Sequence, residues 1–339
     1  MYKAAVLVSP GEITIEERQE PKLDSNEVLI RVKFAGICGT DVALFSGEYG
    51  VPLPLVLGHE FSGEVVEAGN SVQKGLIGKR VVGEINNTCL ANRNNDLCEL
   101  CKRGISTHCS RRTVVGIISC DGAFSELIKI PAGSVHVLPS EISVEQAVFV
   151  EPLAAAIQTF ELRPVNRDDT VAVLGLGRLG TLITCVAYTL GARVIAISRS
   201  SWKLERAKMF GASEAINASL QNPVDEIKDT TNGIGADVVV EATGSPDGLN
   251  LALELVRPRG TIALKTTCGS ISSNVDFTRA VVNEIRIQGS RCGPFEKAID
   301  MLKTGKIPVH SLVSDIYRLE RVKDAIVAAN TASKVLIEM

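Results

Sequence analysis

The run Gly175-Leu176-Gly177-Arg178-Leu179-Gly180 constrains this chain more than any other feature. It follows a strand-like apolar stretch, TVAVL, and opens a helix-like one, LGTLITCVAYTLGA. In that setting Gly175 permits a tight turn, Gly177 lets the backbone approach a pyrophosphate, and Gly180 lets helix and strand pack closely. The phosphates would then lie at a helix N-terminus, where free N–H groups and the helix dipole favour anions. From about Val150 onward the same texture repeats. RVIAIS, WKLERAKMFGA, ADVVVEATG, LNLALELVRPRG and TIALKTT alternate strand and helix, and EIRIQGS adds a further strand. Near-continuous β-branched runs separated by helices indicate a parallel sheet covered on both faces.

Residues 1–150 read differently. EVLIRVKFAGICG, EFSGEVVEAG, KRVVGEI and GAFSELIKI are short apolar or alternating runs broken by glycine and proline, without a helical period. After Gly289 come two helical stretches, FEKAIDMLKTGK and LERVKDAIVAAN, and a last strand, KVLIEM. At 339 residues the chain is long for a single core. The expected organisation is α/β: a β-rich domain over 1–150, completed by 289–339, and a doubly wound parallel-sheet domain over 151–288.

The strand after the glycine run ends in Ser198-Arg199-Ser200. A carboxylate there would accept hydrogen bonds from the ribose of NAD and repel a 2′-phosphate; a serine and an arginine would hold one. This favours NADP(H) over NAD(H), the plainer alternative being that Arg199 is a solvated surface charge. Thr243-Gly244, Thr266-Thr267 and Ser290-Arg291 fall at the expected carboxyl ends of later strands, where open α/β sheets bind ligands. Arg291 is equally compatible with facing phosphate and with capping a domain junction.

Two short stretches in the first half carry metal chemistry, Gly36-Ile-Cys38-Gly-Thr40-Asp41 and Gly58-His59-Glu60-Phe-Ser-Gly63. Thiolate, imidazole and carboxylate are the donor set of a borderline-soft ion such as Zn²⁺. Each stretch alone means little, because single Cys and His residues are usually packing or surface groups. A third stretch, TCLANRNNDLCELCKRGISTHC, gathers Cys89, Cys98, Cys101 and Cys109, nearly half of the nine cysteines of the chain. Four thiols so close admit a metal cage, a pair of disulfides or coincidence.

GICGTD, GHEFSGEVVEAG, the cysteine lobe, EPLAAA and GLGRLG occur in an order that resembles the zinc-dependent alcohol dehydrogenases of the medium-chain dehydrogenase/reductase superfamily. The likeness spans essentially the whole chain. It implies a GroES-like catalytic domain, a Rossmann domain and a cleft between them. It also implies that Cys38 and His59 are catalytic zinc ligands and that Glu60 ligates the metal or swings onto it. Glu151, in Val150-Glu151-Pro152-Leu153, stands where the ethanol-type enzymes carry a cysteine ligand. Glutamate there resembles the polyol, glucose and threonine dehydrogenase branch, which implies that Glu151 is a further ligand of the catalytic zinc, directly or through water. A zinc ion with an open position acidifies an alcohol, whose carbon then gives hydride to the nicotinamide. Thr40 would take the hydroxyl proton, but the histidine that continues the relay in many relatives is replaced by Ala43. In the family four cysteines spaced two, two and seven residues apart bind a structural zinc. Cys98, Cys101 and Cys109 keep the two-then-seven spacing, Asn95 stands where the first would be, and Cys89 lies beyond a turn-rich insertion. A tetrahedral site needs convergent ligands, not a fixed loop length, so Cys89 can still close it.

The implied activity is hydride transfer between a small alcohol or polyol and NAD(P). A zinc-independent, quinone reductase-like enzyme and a non-catalytic zinc- and nucleotide-binding protein are the alternatives; relatives of the first kind lack both cysteine features. The charge balance, 36 basic against 39 acidic residues, gives no general attraction to nucleic acid or anionic membranes. No apolar run reaches the roughly 18 residues that cross a bilayer, and the opening MYKAAVLVSPGEITIEE is unlike a signal peptide. Unevenly spread cysteines suit a reducing compartment, so a cytoplasmic protein is expected. The family adds a homodimer or homotetramer. His108, His136, His310, Cys120, Cys185, Cys268 and Cys292 read as structural or surface groups, and the identity of the alcohol is open.

Overall fold

The computed structural model describes residues 1–267 and 274–339, so Cys268 lies outside the described residues. The chain divides into two compact units. The first comprises Met1–Glu151, Ala298–Gly305 and Val309–Met339; the second comprises Pro152–Lys297 and Lys306–Pro308. The second unit runs on past the expected boundary at 288. Gly293 explains part of this, since its Cα packs so closely on the Ala154 carbonyl that a side chain there would overlap it.

The first unit is built on a sheet whose strands run, in spatial order, Val135–Val137, Arg80–Gly83, Glu60–Ala68, Glu27–Gly36, Lys334–Glu338 and Val313–Arg318, with Leu127–Pro131 also pairing Glu27–Gly36. All pairings are antiparallel except that between the last two strands. In Glu27–Gly36, Ile30 and Val32 point into the core while Arg31 and Lys33 face solvent, the alternation a half-buried strand requires. A smaller sheet of Tyr2–Ser9, Glu12–Arg18 and Leu55–Val56 closes over the same core, around Leu7, Ile30, Ile37, Leu57, Phe124 and Ile130. Gly36 lies opposite both Glu60 and Leu336, and this register brings three distant segments together at one point of the sheet.

The second unit carries six parallel strands in the spatial order Glu214–Asn217, Arg193–Ser198, Thr170–Leu174, Ala236–Glu241, Val256–Leu264 and Arg286–Gly289. The first strand in the chain is central and the order reverses beside it, which is the doubly wound arrangement with its switch point between Thr170–Leu174 and Ala236–Glu241. Val171 to Leu174 and Val194 to Ile197 are all buried, as strands covered on both faces must be. Helix Arg178–Thr189 lies on this sheet with Gly180 through Ala187 buried. Glu214–Asn217 and Val313–Arg318 are among the strands that escape the sequence reading; the second is exposed along most of its length and shows no alternation. Helix Gly248–Leu255 is shorter than LNLALELVRPRG suggests, because Pro258 disfavours helix at Arg257 and the chain turns extended from Val256. Among the described residues no helix is long and apolar enough to cross a membrane.

Gly180 sits so close beneath the Gly175 carbonyl that a Cβ would overlap that oxygen. Gly180→Ala is therefore expected to lower the unfolding free energy of the second unit by about 2 kcal/mol, the usual cost of overpacking. Urea unfolding monitored by circular dichroism measures this, and an unchanged midpoint would contradict the packing argument.

Candidate metal centre and coenzyme loop

Helix Gly39–Ser46 follows Cys38, whose extended backbone places it at the helix N-terminus. Asp41, fully buried, accepts a hydrogen bond on Oδ2 from the Cys38 backbone N–H at 2.8 Å and on Oδ1 from the Gly58 N–H at 3.2 Å. One carboxylate thus ties the first motif to the second. Gly58 has φ +93°, and a Cβ there would press on Phe124, so only glycine serves before His59. The same Asp41 Oδ1 lies 3.5 Å from His59 Nδ1, close enough for charge attraction though without hydrogen-bond geometry.

These constraints bring one ligand atom each of Cys38, His59 and Glu60 within 4.8 Å of one another. Thr40 Oγ1 stands 3.8 Å from Cys38 Sγ. Burial works against the His59 charge, but Asp41 and the Cys38 sulfur outweigh it and hold the imidazole pKa well above its ordinary value. Burial likewise opposes the Cys38 thiolate, yet the His59 charge and hydrogen bond pull its pKa below the usual thiol range. A metal bound here would displace the proton shared by this thiolate and imidazole, because a ligating histidine is neutral. Glu151, in the first turn of helix Val150–Leu162 and half-buried, lies outside the trio.

The sequence reading missed Lys334. Its buried ammonium pairs with Glu60 Oε2 and donates to the Ile37 carbonyl at 3.3 Å, and it lies 5.9 Å from the Phe149 ring centre. Burial brings its pKa down to about 8, against the pull of Cys38 and Asp41. Gly36 makes the room: a Cβ would fall 2.7 Å from Glu60 Oε2 and 2.8 Å from Lys334 Cε. The task of Asp41 also escapes the sequence reading; the signal available was its place three residues into a helix after the cysteine, where a carboxylate reaches back to a free N–H.

The cysteine lobe forms a second constellation. Donor atoms of Cys89, Cys98, Cys101 and Cys109 all lie within 4.8 Å of one another, with sulfurs of Cys89 and Cys109 3.4 Å apart and those of Cys98 and Cys109 3.6 Å apart. These separations are far beyond a disulfide bond of about 2.05 Å. They approach the edge of about 3.8 Å that four thiolates make around a metal at about 2.3 Å. Backbone N–H groups of Cys101 and Ser110 lower the Cys98 pKa to about 5, whereas burial and its cysteine neighbours push Cys101 up to about 12. The insertion folds back as turns, with Asn94 N–H on the Cys89 carbonyl and Arg111 on Asp96, which lets Cys89 join the others.

In the second unit Gly175 has φ +95° and Gly177 caps helix Arg178–Thr189, with open space where its Cβ would be. A glycine facing open space at a helix start, over a packed Gly180, is the cradle a diphosphate needs. Leu176 is buried, while Arg178 and Leu179 are partly exposed. Strand Arg193–Ser198 ends with Ser198 Oγ accepting from the Ser200 N–H at 3.2 Å, and Arg199 is exposed. At the next two strand ends Glu241, buried and unremarked in sequence, accepts from the Thr243 N–H at 2.8 Å and the Thr243 hydroxyl on Oε1, and from Thr266 Oγ1 at 3.4 Å on Oε2; Gly244 N–H donates to Thr266 Oγ1 at 2.8 Å. Lys265, also missed, donates to Ser290 Oγ and to the Arg291 carbonyl, both at 2.9 Å. His136 meets Glu84 at 3.0 Å, in keeping with a structural histidine.

Comparison with known proteins agrees with this geometry. The family described as Alcohol dehydrogenase GroES-like domain matches residues 24–140, and that described as Zinc-binding dehydrogenase matches 179–304. The chain is 34% identical over 99% of its length to a sorbitol dehydrogenase of Bacillus subtilis (strain 168), covering 96% of that protein. Among solved structures, a protein of Sinorhizobium meliloti 1021 assigned as a zinc-binding dehydrogenase and bound to NADP superposes with a TM-score of 0.91 at 30% identity, over 100% of this chain and 99% of that one. A structure described as a short chain alcohol dehydrogenase of E. coli CFT073, complexed with NADH, gives the same TM-score, identity and coverage. The chain belongs to the zinc-dependent alcohol dehydrogenase family of the medium-chain dehydrogenase/reductase superfamily, and it is an oxidoreductase acting on alcohols with NAD(P).

Removing the Asp41 carboxylate strands two buried N–H groups, each costing about 1–3 kcal/mol. Asp41→Ala should therefore destabilise the first unit by about 2–6 kcal/mol and abolish turnover, even at temperatures where the protein remains folded. Thermal unfolding alongside kcat checks both; full activity in the folded variant would refute this role of the carboxylate.

Proposed function

We propose that the chain oxidises a secondary alcohol of a small polyol, reversibly, using NADP⁺ and a zinc ion held by Cys38, His59 and Glu60. The observation that carries this reading is the convergence of those three donors within 4.8 Å, fixed by a buried carboxylate. Zinc, when bound, supplies a Lewis acid that lowers the pKa of a ligated hydroxyl toward neutrality. The residues do the remaining tasks. Cys38 offers an anionic sulfur and His59 a ring nitrogen, while Asp41 fixes the orientation of both, as partners of metal ligands do. Thr40, beside Cys38, is the hydroxyl placed to accept the alcohol proton. Glu60 contributes one oxygen while Lys334 holds the other, and Glu151 is assigned to the outer side of the site as a carboxylate near the metal. The polyol assignment rests on the sorbitol dehydrogenase relative and on the glutamate at 151 in place of cysteine.

NADP(H) is preferred because the strand that meets the adenosine ribose ends in Ser198 and Arg199 rather than in a carboxylate. Solved neighbours hold NADP in one case and NADH in another, and Ser198 and Arg199 support the NADP(H) reading. Thr243, Gly244, Thr266, Ser290 and Arg291 are assigned to the nicotinamide side. Cys89, Cys98, Cys101 and Cys109 are assigned a structural zinc with all four positions closed. Cysteines that are all free thiols among the described residues suit a reducing cytoplasm. Exposed Phe277, Val281, Val282 and Ile287 beside the edge strand Arg286–Gly289 support a homo-oligomer joined at that edge.

An oxidation screen of sorbitol, xylitol, 2,3-butanediol and simple secondary alcohols with NADP⁺ and NAD⁺ in parallel tests the whole reading. Turnover of a polyol with higher kcat/KM for NADP⁺ is expected; a clear NAD⁺ preference would overturn the assignment of Ser198 and Arg199. Cys38→Ala should lose at least about 10³-fold in kcat, the scale of a lost metal ligand or activated group, while binding NADP⁺ with unchanged affinity. Atomic absorption should give two zinc per chain in the native protein and one in Cys38→Ala. One zinc in the native protein, unaltered by that substitution, would contradict the catalytic site.

A further inference from the structure

Arg206 is buried on helix Ser201–Met209 of the second unit, yet it belongs to no motif and faces the glycine loop. Its Nη2 donates at 3.2 Å to the Leu176 carbonyl and at 3.2 Å to Thr181 Oγ1. Thr181 Oγ1 in turn donates to the Gly177 carbonyl at 2.9 Å, and the Thr181 N–H donates there at 3.0 Å. The guanidinium therefore holds the carbonyl of residue 176 directly and that of 177 through one hydroxyl. On its other side the ring of Trp202 lies 4.8 Å from the guanidinium carbon, a cation–π distance that keeps the group in place.

Peptide geometry gives this a consequence. In a trans peptide the C=O of one residue and the N–H of the next point in opposite directions. The Leu176 carbonyl is drawn toward Arg206 and the Gly177 carbonyl is held by Thr181, so the N–H groups of Gly177 and Arg178 are each turned away from those contacts. Open space lies beside Gly177, where its Cβ would stand. Two adjacent N–H groups at the head of a helix form an anion-binding pair. The charge environment agrees: beyond burial, Arg206 and Arg178 both depress the Lys203 pKa, so three cations crowd this corner.

We propose that Arg206 is a positioning residue for the coenzyme diphosphate, orienting the Gly177 and Arg178 N–H groups by fixing the carbonyls behind them. This rests on reading the glycine loop as the coenzyme site. It does not depend on the choice between NADP and NAD, because the diphosphate is common to both. Arg206 contacts the glycine loop itself, so its loss weakens both coenzymes alike, whereas loss of Arg199 weakens NADP⁺ alone.

Calorimetric titration of the zinc-loaded protein with NADP⁺ and NAD⁺ tests this. Arg206→Met should raise both Kd values by the same factor, about tenfold or more, as expected for a lost charge-assisted hydrogen bond. Arg206→Lys should recover part of the loss, and Thr181→Val, which cuts only the link to Gly177, should cost less than Arg206→Met. In each variant kcat at saturating coenzyme should stay within about twofold of the parent, so the effect falls on coenzyme KM. Should Arg206→Met fail to fold, as circular dichroism would show, Arg206→Lys and Thr181→Val carry the test. Unchanged Kd values in folded variants overturn the proposal, as does a loss confined to NADP⁺, which would place Arg206 at the 2′-phosphate. Failure of the parent protein to bind either coenzyme would instead remove the coenzyme reading itself.

Discussion

The arrangement of the metal centre depends on one buried carboxylate. Asp41 is completely removed from solvent and accepts from backbone N–H groups on two segments, at Cys38 and at Gly58. A carboxylate in that position is tolerable only because charged hydrogen bonds replace its lost hydration. The same atoms that satisfy Asp41 fix the backbone on either side of a would-be metal. Cys38 is presented from the start of a helix and His59 from the start of a strand, so neither side chain needs to search for the other. A metal site built on rigid backbone in this way spends little ordering entropy on ligand capture.

Behind this carboxylate lies a second buried charge pair, Glu60 with Lys334. Burying two ions is expensive, and such a pair is weak evidence for stability. Its value here is better sought in what it does to Glu60. With one carboxylate oxygen committed to an ammonium, the other is left for a second task, and the rotamer is set by a lysine two strands away. Gly36, between the two strands that carry the partners, is the packing concession that allows it. Strand pairing, packing and the orientation of Glu60 thus converge on one point of the sheet.

Much of this was legible in the sequence, and the limit of legibility has a physical basis. Motifs whose parts lie within a few residues announce themselves: the glycine run beside an apolar strand, Cys38 near Thr40, His59 beside Glu60, and Cys98, Cys101 and Cys109 in family spacing. Cys89 was harder, because an insertion separates it from the others, and only the folded turns show it close at hand. Lys334 gave no signal at all, since its meaning lies in a partner 274 positions away. Arg206 and Glu241 are hidden for a related reason. Their tasks are to hold backbone carbonyls and hydroxyls at strand ends, and such tasks leave no pattern in residue type. Local chemistry is written in sequence; support for it is written in register and in the order of strands.

The stack of Trp202 on Arg206 has an optical corollary. Trp202 is the only tryptophan in the chain, and it is 52% exposed on the helix that abuts the glycine loop. The intrinsic emission of this protein is therefore a signal from a single address. Its wavelength and quenching follow the solvation of one indole face and the cation beneath it. Spectra recorded on the intact enzyme consequently report, without labelling, on the surroundings of the glycine loop.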